Sequence, residues 1–248
     1  MSINKLKIYG ERNSGTNYME QLIRHNYRNL HILDNYFVGS GGTGWKHGIP
    51  YPNRYDKDST LIIVVFRDLN DWLLSMFYNS YHLRSIPTFG TGDFNTFIKT
   101  KFFGLQYNML EYYPFSYNPT EEDKICFNFE RNKDMFDVRY SKYEEYMKLT
   151  ETNNVAFVKL EFLQKKPDII LRELDKIFGL SKYRINEPFI NVTKHTKTQK
   201  NEKNRTYDKN ILDQEFVDKH KDINIEERID IMTLTCYKQL QSNIESIC

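Results

Sequence analysis

Cysteine is scarce in this chain. Cys126, Cys236 and Cys248 are the three in 248 residues; they are odd in number and widely spaced, with no CxxC pair and no Cys/His cluster at zinc spacing. A disulfide scaffold and a structural zinc site are therefore excluded. Net charge is almost absent as well: 35 basic residues against 33 acidic ones leave +2, so no broad field draws the chain to nucleic acid or to an anionic membrane. Any anion has to be caught locally. No window approaches the ~20 apolar residues of a membrane span. The N-terminus, Met-Ser-Ile-Asn-Lys-Leu-Lys, enters an apolar segment too short for a signal-peptide core and cleavage site. A cytoplasmic chain is expected, in which the sequons at Asn191 and Asn204 are chance matches.

Bulky apolar material is abundant. With 17 Phe, 18 Tyr and 40% apolar side chains, the chain can bury one large core without staples. No internal repeat or domain-scale linker divides it, so residues 1–248 are expected to form a single domain. Lys5 to Tyr9 is a strand candidate, followed by Gly10-Glu-Arg-Asn-Ser-Gly15 and a helical pattern through Tyr18, Leu22 and Ile23. Leu30 to Leu33 is a second short strand candidate. Leu61-Ile-Ile-Val-Val-Phe66 is the strongest strand: six consecutive apolar residues, mostly β-branched, point to burial on both faces of a parallel sheet. Helices are expected over Asp71–Leu83, Phe94–Tyr113 and Met135–Leu149, with strands at Ile125–Phe129 and Val155–Leu160 between and after them. Pro167 opens a further helix and Gly179 closes it. The alternation implies an α/β fold, a three-layer, mostly parallel sheet with helices on both faces. Between residues 194 and 210 apolar residues nearly vanish while Lys194, Lys197, Lys200, Lys203, Arg205 and Lys209 accumulate, the composition of a solvated basic loop. Amphipathic helices are expected over 211–247.

Two stations at the carboxyl edge of that sheet carry chemistry. Gly10-x-x-x-x-Gly15 between a strand and a helix has the frame of a phosphate-binding loop, because unpaired N–H groups and the helix dipole meet an anion there. A nucleoside-triphosphatase loop would continue Gly-Lys-Ser/Thr, the lysine neutralising phosphates and the hydroxyl holding Mg²⁺. Here Thr16-Asn17 follows, which argues against ATP or GTP hydrolysis; the alternative is a glycine loop that merely turns. The second station is Arg67, at the end of the central strand, with Ser75 two helical turns beyond it. Both side chains can reach one anion at the edge where open α/β sheets bind ligands. The plain alternative pairs Arg67 with Asp68 or Asp71 and leaves Ser75 in solvent.

These segments resemble the sulfotransferases that use 3′-phosphoadenosine-5′-phosphosulfate, PAPS. Ser14-Gly15-Thr16-Asn17-Tyr18 is similar to the family's Ser-Gly-Thr-Thr-Trp core, and Arg67-Asp-Leu-Asn-Asp-Trp-Leu-Leu-Ser75 to its Arg-x-Pro-x-Asp-x-x-x-Ser signature. Leu160-Glu161-Phe-Leu163-Gln-Lys-Lys-Pro167 through Gly179-Leu180 is similar to the Tyr-Glu-Asp-Leu-x-x-x-Pro segment and its sequel. Three motifs in order span roughly residues 5 to 180. The resemblance implies that Arg12, Asn13, Ser14, Gly15, Thr16 and Asn17 cradle the 5′-phosphosulfate, that Tyr18 lies by the adenine, and that Arg67 and Ser75 hold the 3′-phosphate. It also implies PAPS as the one cofactor and no metal, because the leaving diphosphate is held by the protein.

Trp45-Lys46-His47-Gly48-Ile49-Pro50 stands where cytosolic members of the family carry Lys-Thr-His-Leu-Pro. The resemblance implies that His47 is the base that deprotonates the acceptor, a role suited to an imidazole titrating near neutrality. The departures matter equally. The family's loop lysine aligns with Asn13, so Arg12, the first choice, or else Lys46 must supply the leaving-group cation. The plain alternative for Arg12 is a surface salt bridge to Glu11 or Glu20, and for His47 an exposed, idle side chain. The family's Arg-Lys-Gly-x-x-Gly-Asp-Trp segment is missing, and the basic loop, with His195 and Lys197, occupies a comparable place. The expected activity is sulfuryl transfer to a small-molecule, carbohydrate or tyrosine-containing acceptor. A catalytically impaired nucleotide-binding relative and a P-loop nucleotide or sugar kinase stand as the alternatives.

Overall fold

The computed structural model of the chain describes residues 3–34, 43–50, 54–78, 93–99, 135–151, 153–180 and 187–192. The expected strand at Ile125–Phe129, the basic loop at 194–210 and the helices over 211–247 lie outside the described residues, as do the far ends of the helices expected to reach Leu83 and Tyr113. In chain order the elements are β1 (Lys5–Gly10), α1 (Thr16–Asn26), β2 (His31–Ile32), β3 (Thr60–Phe66), α2 (Leu69–Tyr78), α3 (Phe94–Lys99), α4 (Met135–Leu149), β4 (Asn154–Lys159), α5 (Leu160–Lys165) and α6 (Pro167–Phe178).

The four strands form one parallel sheet in the order β2-β1-β3-β4. β3 is central and buried along its whole length, as its unbroken apolar run requires. Its register sets Leu61 to Val65 beside Leu6 to Gly10 on one side and Leu61 to Phe66 beside Asn154 to Lys159 on the other. Alternate residues feed two cores. Leu61, Ile63 and Val65 join Leu6 and Ile8 with Met19, Leu22 and Ile23 of α1 and Ile170, Leu171 and Leu174 of α6. Ile62, Val64 and Phe66 join Tyr9 with Tyr143, Tyr146 and Leu149 of α4. Helices therefore cover both faces, each large apolar side chain contributing roughly 1.5–3 kcal/mol by burial. The α/β expectation holds.

Local signals explain the element ends. Pro167 sits in the first turn of α6, where its missing N–H costs nothing. Gly179 closes the helix at φ 61°, donating to the Asp175 carbonyl at 2.8 Å. Leu160 begins α5 rather than ending β4, and its side chain stays in the core beneath α1 with Ala156 and Val158. Among the described residues, no helix is long and apolar enough to cross a membrane.

Strand order positions the site. From β1 the chain moves by α1 to β2 on one side, then returns to place β3 on the other side of β1. The carboxyl ends of β1 and β3 thus border the point where the winding reverses, the crevice in which open parallel sheets bind ligands.

Candidate functional site

Both stations read from the sequence lie at that crevice. β1 ends at Gly10, and the loop Glu11 to Gly15 turns into α1, whose first intrahelical bond runs from the Met19 N–H to the Gly15 carbonyl at 3.0 Å. The amides before Met19 have no carbonyl inside the helix to bind. No side chain caps this end and no acid stands in its first turn, so the positive pole of the helix is left for an external anion. The loop is tightly wound. Ser14 N–H and the Ser14 hydroxyl both donate to the Glu11 carbonyl, at 3.2 and 2.7 Å. Ser14 is therefore a loop brace whose hydroxyl proton is spent inward.

Two glycines make the curvature feasible, for different reasons. A Cβ on Gly10 would stand 2.3 Å from the Val65 carbonyl oxygen and 2.7 Å from Ser14 Oγ. The first of these is backbone of the paired central strand and cannot turn aside. A Cβ on Gly15 would meet Leu160 Cδ1 at 2.3 Å, the end of a side chain that can rotate, although Gly15 also holds φ 90°. Gly10→Ala is accordingly expected to destabilise the protein by roughly 3 kcal/mol or more, and Gly15→Ala by about 1–2 kcal/mol from its backbone alone. Urea unfolding midpoints measure both, and equal costs would contradict this geometry.

Asn13 turns its side chain away from the loop. It holds φ 61°, a conformation Asn tolerates better than most residues, and its amide reaches the Ser75 carbonyl at 3.2 Å and Met76 Sδ at 3.4 Å. The side chain at this position is committed to α2. Positive charge comes instead from the segment before β3. Lys46 Nζ hydrogen-bonds Asn17 Oδ1 in the first turn of α1, and burial holds its pKa below the ordinary lysine range, with Glu20 pulling the other way. Arg12 is buried, its guanidinium 5.0 Å from the centre of the Trp45 ring. The surface salt bridges imagined for it do not form: Glu20 pairs with Arg24 at 2.9 Å and Glu11 with Arg139 at 3.3 Å.

His47 belongs to the same segment and is not idle. Gly10 N–H donates to the Lys46 carbonyl at 3.0 Å, and His47 Nδ1 lies 2.8 Å from the Gly10 carbonyl oxygen. A carbonyl only accepts, so Nδ1 carries the proton and Nε2 presents a lone pair. The half-buried ring meets Trp45 edge-on at 4.9 Å. Burial pushes the imidazole pKa well below its ordinary value of 6.5; the Gly10 contact opposes this, and Lys46, Lys142 and Arg12 reinforce it. At neutral pH His47 is thus an uncharged base of defined tautomer.

Arg67 leaves the end of β3 and turns to the loop, its Nη1 donating to the Asn13 carbonyl at 3.1 Å. It pairs with neither Asp68 nor Asp71. Glu161 Oε1 stands 3.6 Å from its Nε, and that Nε finds no hydrogen-bond acceptor among the described residues. Ser75 is buried in α2 and not in solvent. Thr16 is also buried, while Asn17 is exposed beside Lys46. The Tyr18 hydroxyl donates to Asn191 Oδ1 at 3.2 Å, and its ring packs against the core beneath α1.

Several residues of this site escaped the sequence reading. Glu161 accepts from the Asp68 N–H at 3.3 Å, joining the third motif to the second. On α4, Arg139 donates to the Arg67 carbonyl at 2.6 Å while pairing with Glu11, so one buried guanidinium ties both stations together. Burial raises the Glu11 pKa, against the pull of Arg139 and Lys142. Burial brings Lys142 down to about 8, opposed by Glu11. A signal existed: Arg139 and Lys142 fall within the helical stripe that also carries Tyr143, Tyr146 and Leu149, where a cation has no place unless it meets charge.

The residues present fit a ligand with two anionic groups. An uncapped helix end with a lysine beside it, a loop two glycines keep open, and an arginine with an unused buried N–H converge on one edge. Among the described residues no three His, Cys, Asp or Glu side chains are grouped to hold a metal ion. No family model, curated protein or solved structure matches the chain.

Proposed function

We propose that this chain is a PAPS-dependent sulfotransferase, transferring a sulfuryl group in line to an acceptor hydroxyl or amine. One observation supports the reading above the rest: the three motifs on which the sequence resemblance stands, and the Trp45–Pro50 segment with them, meet at hydrogen-bond distance. Arg67 reaches Asn13, Lys46 reaches Asn17, His47 reaches Gly10 and Glu161 reaches Asp68. Sequence similarity alone does not require that convergence.

In this reading Gly15, Thr16 and Asn17 offer their backbone N–H groups to the 5′-phosphosulfate, and Arg67, supported by Ser75 of α2, holds the 3′-phosphate. PAPS, when bound, supplies an activated sulfur whose bond to the phosphate oxygen breaks as the acceptor oxygen or nitrogen attaches. His47 Nε2 takes the acceptor's proton, and the Gly10 carbonyl steadies the imidazolium so formed. Lys46 Nζ neutralises charge growing on the departing phosphate, the role the family's loop lysine fills; Arg12, stacked on Trp45, adds to the positive field. A preorganised cation at that place is worth about 3–4 kcal/mol of barrier.

Calorimetry with the desulfated product, adenosine 3′,5′-bisphosphate, tests the first step. Binding without Mg²⁺, and much more weakly for adenosine 5′-monophosphate, is expected. Absence of binding overturns the proposal, and Mg²⁺-dependent binding of ATP would favour a kinase instead. Binding without detectable transfer of labelled sulfate to any acceptor would point to the impaired relative.

A further inference from the structure

Lysine is a poor choice for the middle of a buried strand, yet Lys7 stands in β1 with no exposed surface. Its neighbours Leu6 and Ile8 enter the core beneath α1 and α6, so Lys7 faces the opposite side, with Tyr9. Burying an ammonium is costly unless each of its protons finds an acceptor. Among the described residues Lys7 Nζ donates to the Asp34 carbonyl at 2.5 Å, Thr43 Oγ1 at 3.0 Å and the Gly44 carbonyl at 2.6 Å. It also lies 5.3 Å from the centre of the Tyr9 ring. Thr43 is bound back in turn, its N–H to Asp34 Oδ1 at 3.1 Å and its hydroxyl to the Asp34 carbonyl at 2.7 Å. The Thr43 carbonyl accepts from Tyr9 and Tyr55, at 3.3 and 2.9 Å.

We propose that Lys7 is a proton-operated clasp and the positioning residue for this site: its ammonium ties Asp34 to Thr43 and Gly44, and so sets where Lys46 and His47 stand. The segment from Thr43 to His47 is held at one end by Lys7 and at the other by Gly10, which pairs with Lys46 and His47. Two residues, Trp45 and Lys46, separate the clasp at Gly44 from His47, too few to absorb a displacement of the first without moving the second.

The clasp depends on charge. A neutral amine keeps two N–H donors and a lone pair, so at least one of the described oxygen acceptors would lose its proton, and the remaining bonds would lose about half their strength. Burial, the largest influence, lowers the Lys7 pKa to about 7; Lys46 acts with it, and the charges of Asp34 and Glu20 oppose it without prevailing. The clasp is therefore closed below about 7 and loosens as pH rises through that value. His47 titrates on the other side, well below its ordinary range. A neutral base under a closed clasp then coexist in a window on the acid side of neutrality.

The two tryptophans, Trp45 and Trp72, make the clasp observable without any activity. In the full chain labelled with 5-fluorotryptophan, the Trp45 fluorine resonance is expected to shift with a midpoint of about 7. The transition should persist in H47Q and K142M, and vanish in K7M and K7R, since methionine does not titrate and arginine stays charged. A resonance that does not respond across the neutral range, or a transition that survives K7M or is lost in H47Q, overturns the proposal. If both Lys7 variants fail to fold, a transition retained in H47Q and K142M supports it and the other outcomes still sink it.

The consequence for turnover rests on the sulfotransferase reading. There K7M is expected to lower kcat by about 10–100-fold through misplacement of the base, with affinity for adenosine 3′,5′-bisphosphate within about threefold. A fluorine transition in a protein that does not bind the nucleotide would remove the sulfotransferase reading and leave the clasp. Nucleotide binding without the transition would do the reverse.

Discussion

Replacing His47 by alanine is expected to lower kcat by about 10²–10⁴-fold, the range for loss of a positioned general base, while leaving nucleotide affinity within a few-fold. The separation follows from what the ring touches. Nδ1 is bonded to the Gly10 carbonyl and the ring edge meets Trp45, whereas the anion end of the site is built from the α1 N-terminus, Lys46 and Arg67. The pH profile carries an independent sign. Because burial and the surrounding cations hold the imidazole well below 6.5, the acid limb of kcat/KM should fall below the ordinary histidine range. Folding stability shares the cause: below about pH 6.5 the unfolded chain binds a proton at His47 that the folded chain refuses, so stability drops as pH falls there. His47→Ala should remove both effects. Turnover retained in that variant would mean that the proton goes elsewhere.

Arg67→Ala is expected to weaken adenosine 3′,5′-bisphosphate by at least about 100-fold, from the loss of a charge-assisted, partly desolvated contact that typically costs 2–5 kcal/mol. Adenosine 5′-monophosphate, lacking the 3′-phosphate, should lose far less. That contrast separates a phosphate ligand from a structural arginine, because a collapsed loop would weaken both. The Arg67 contacts support the distinction: one hydrogen bond to the Asn13 carbonyl, a carboxylate at 3.6 Å, and an Nε with no acceptor among the described residues. Calorimetry on the variant with both nucleotides decides it, and equal losses would make Arg67 a brace for the loop.

Much of the framework was legible before the fold was seen. The unbroken run Leu61 to Phe66 is buried on both faces because nothing polar in it could meet water, and a central parallel strand is where such a run fits. Gly10 and Gly15 announced a strand-to-helix turn; Gly10 must be glycine because of its approach to the Val65 carbonyl, a contact that sequence does not contain, and Gly15 because it holds φ 90°. Arg67 and Ser75 were placed together by helical spacing. Which way each side chain turns was not legible, and that decided roles: Ser14 spends its hydroxyl on the loop, Asn13 points to α2 and Tyr18 reaches Asn191.

Local patterning by itself determined the described parallel strands, their order and the glycine loop at their carboxyl edge, because periodicity, glycine and strand ends act over a few residues. Only the tertiary structure decided which charges work together. Lys46 comes to the first turn of α1, Arg139 of α4 joins Glu11 to Arg67, and Lys7 closes on Asp34, Thr43 and Gly44. Those pairings span from 27 to 128 residues of chain, counting Lys7 to Asp34 and Glu11 to Arg139. A near-neutral total charge cannot reveal them, since the energy of a buried charge depends on what lies within a few ångströms and not on the sum.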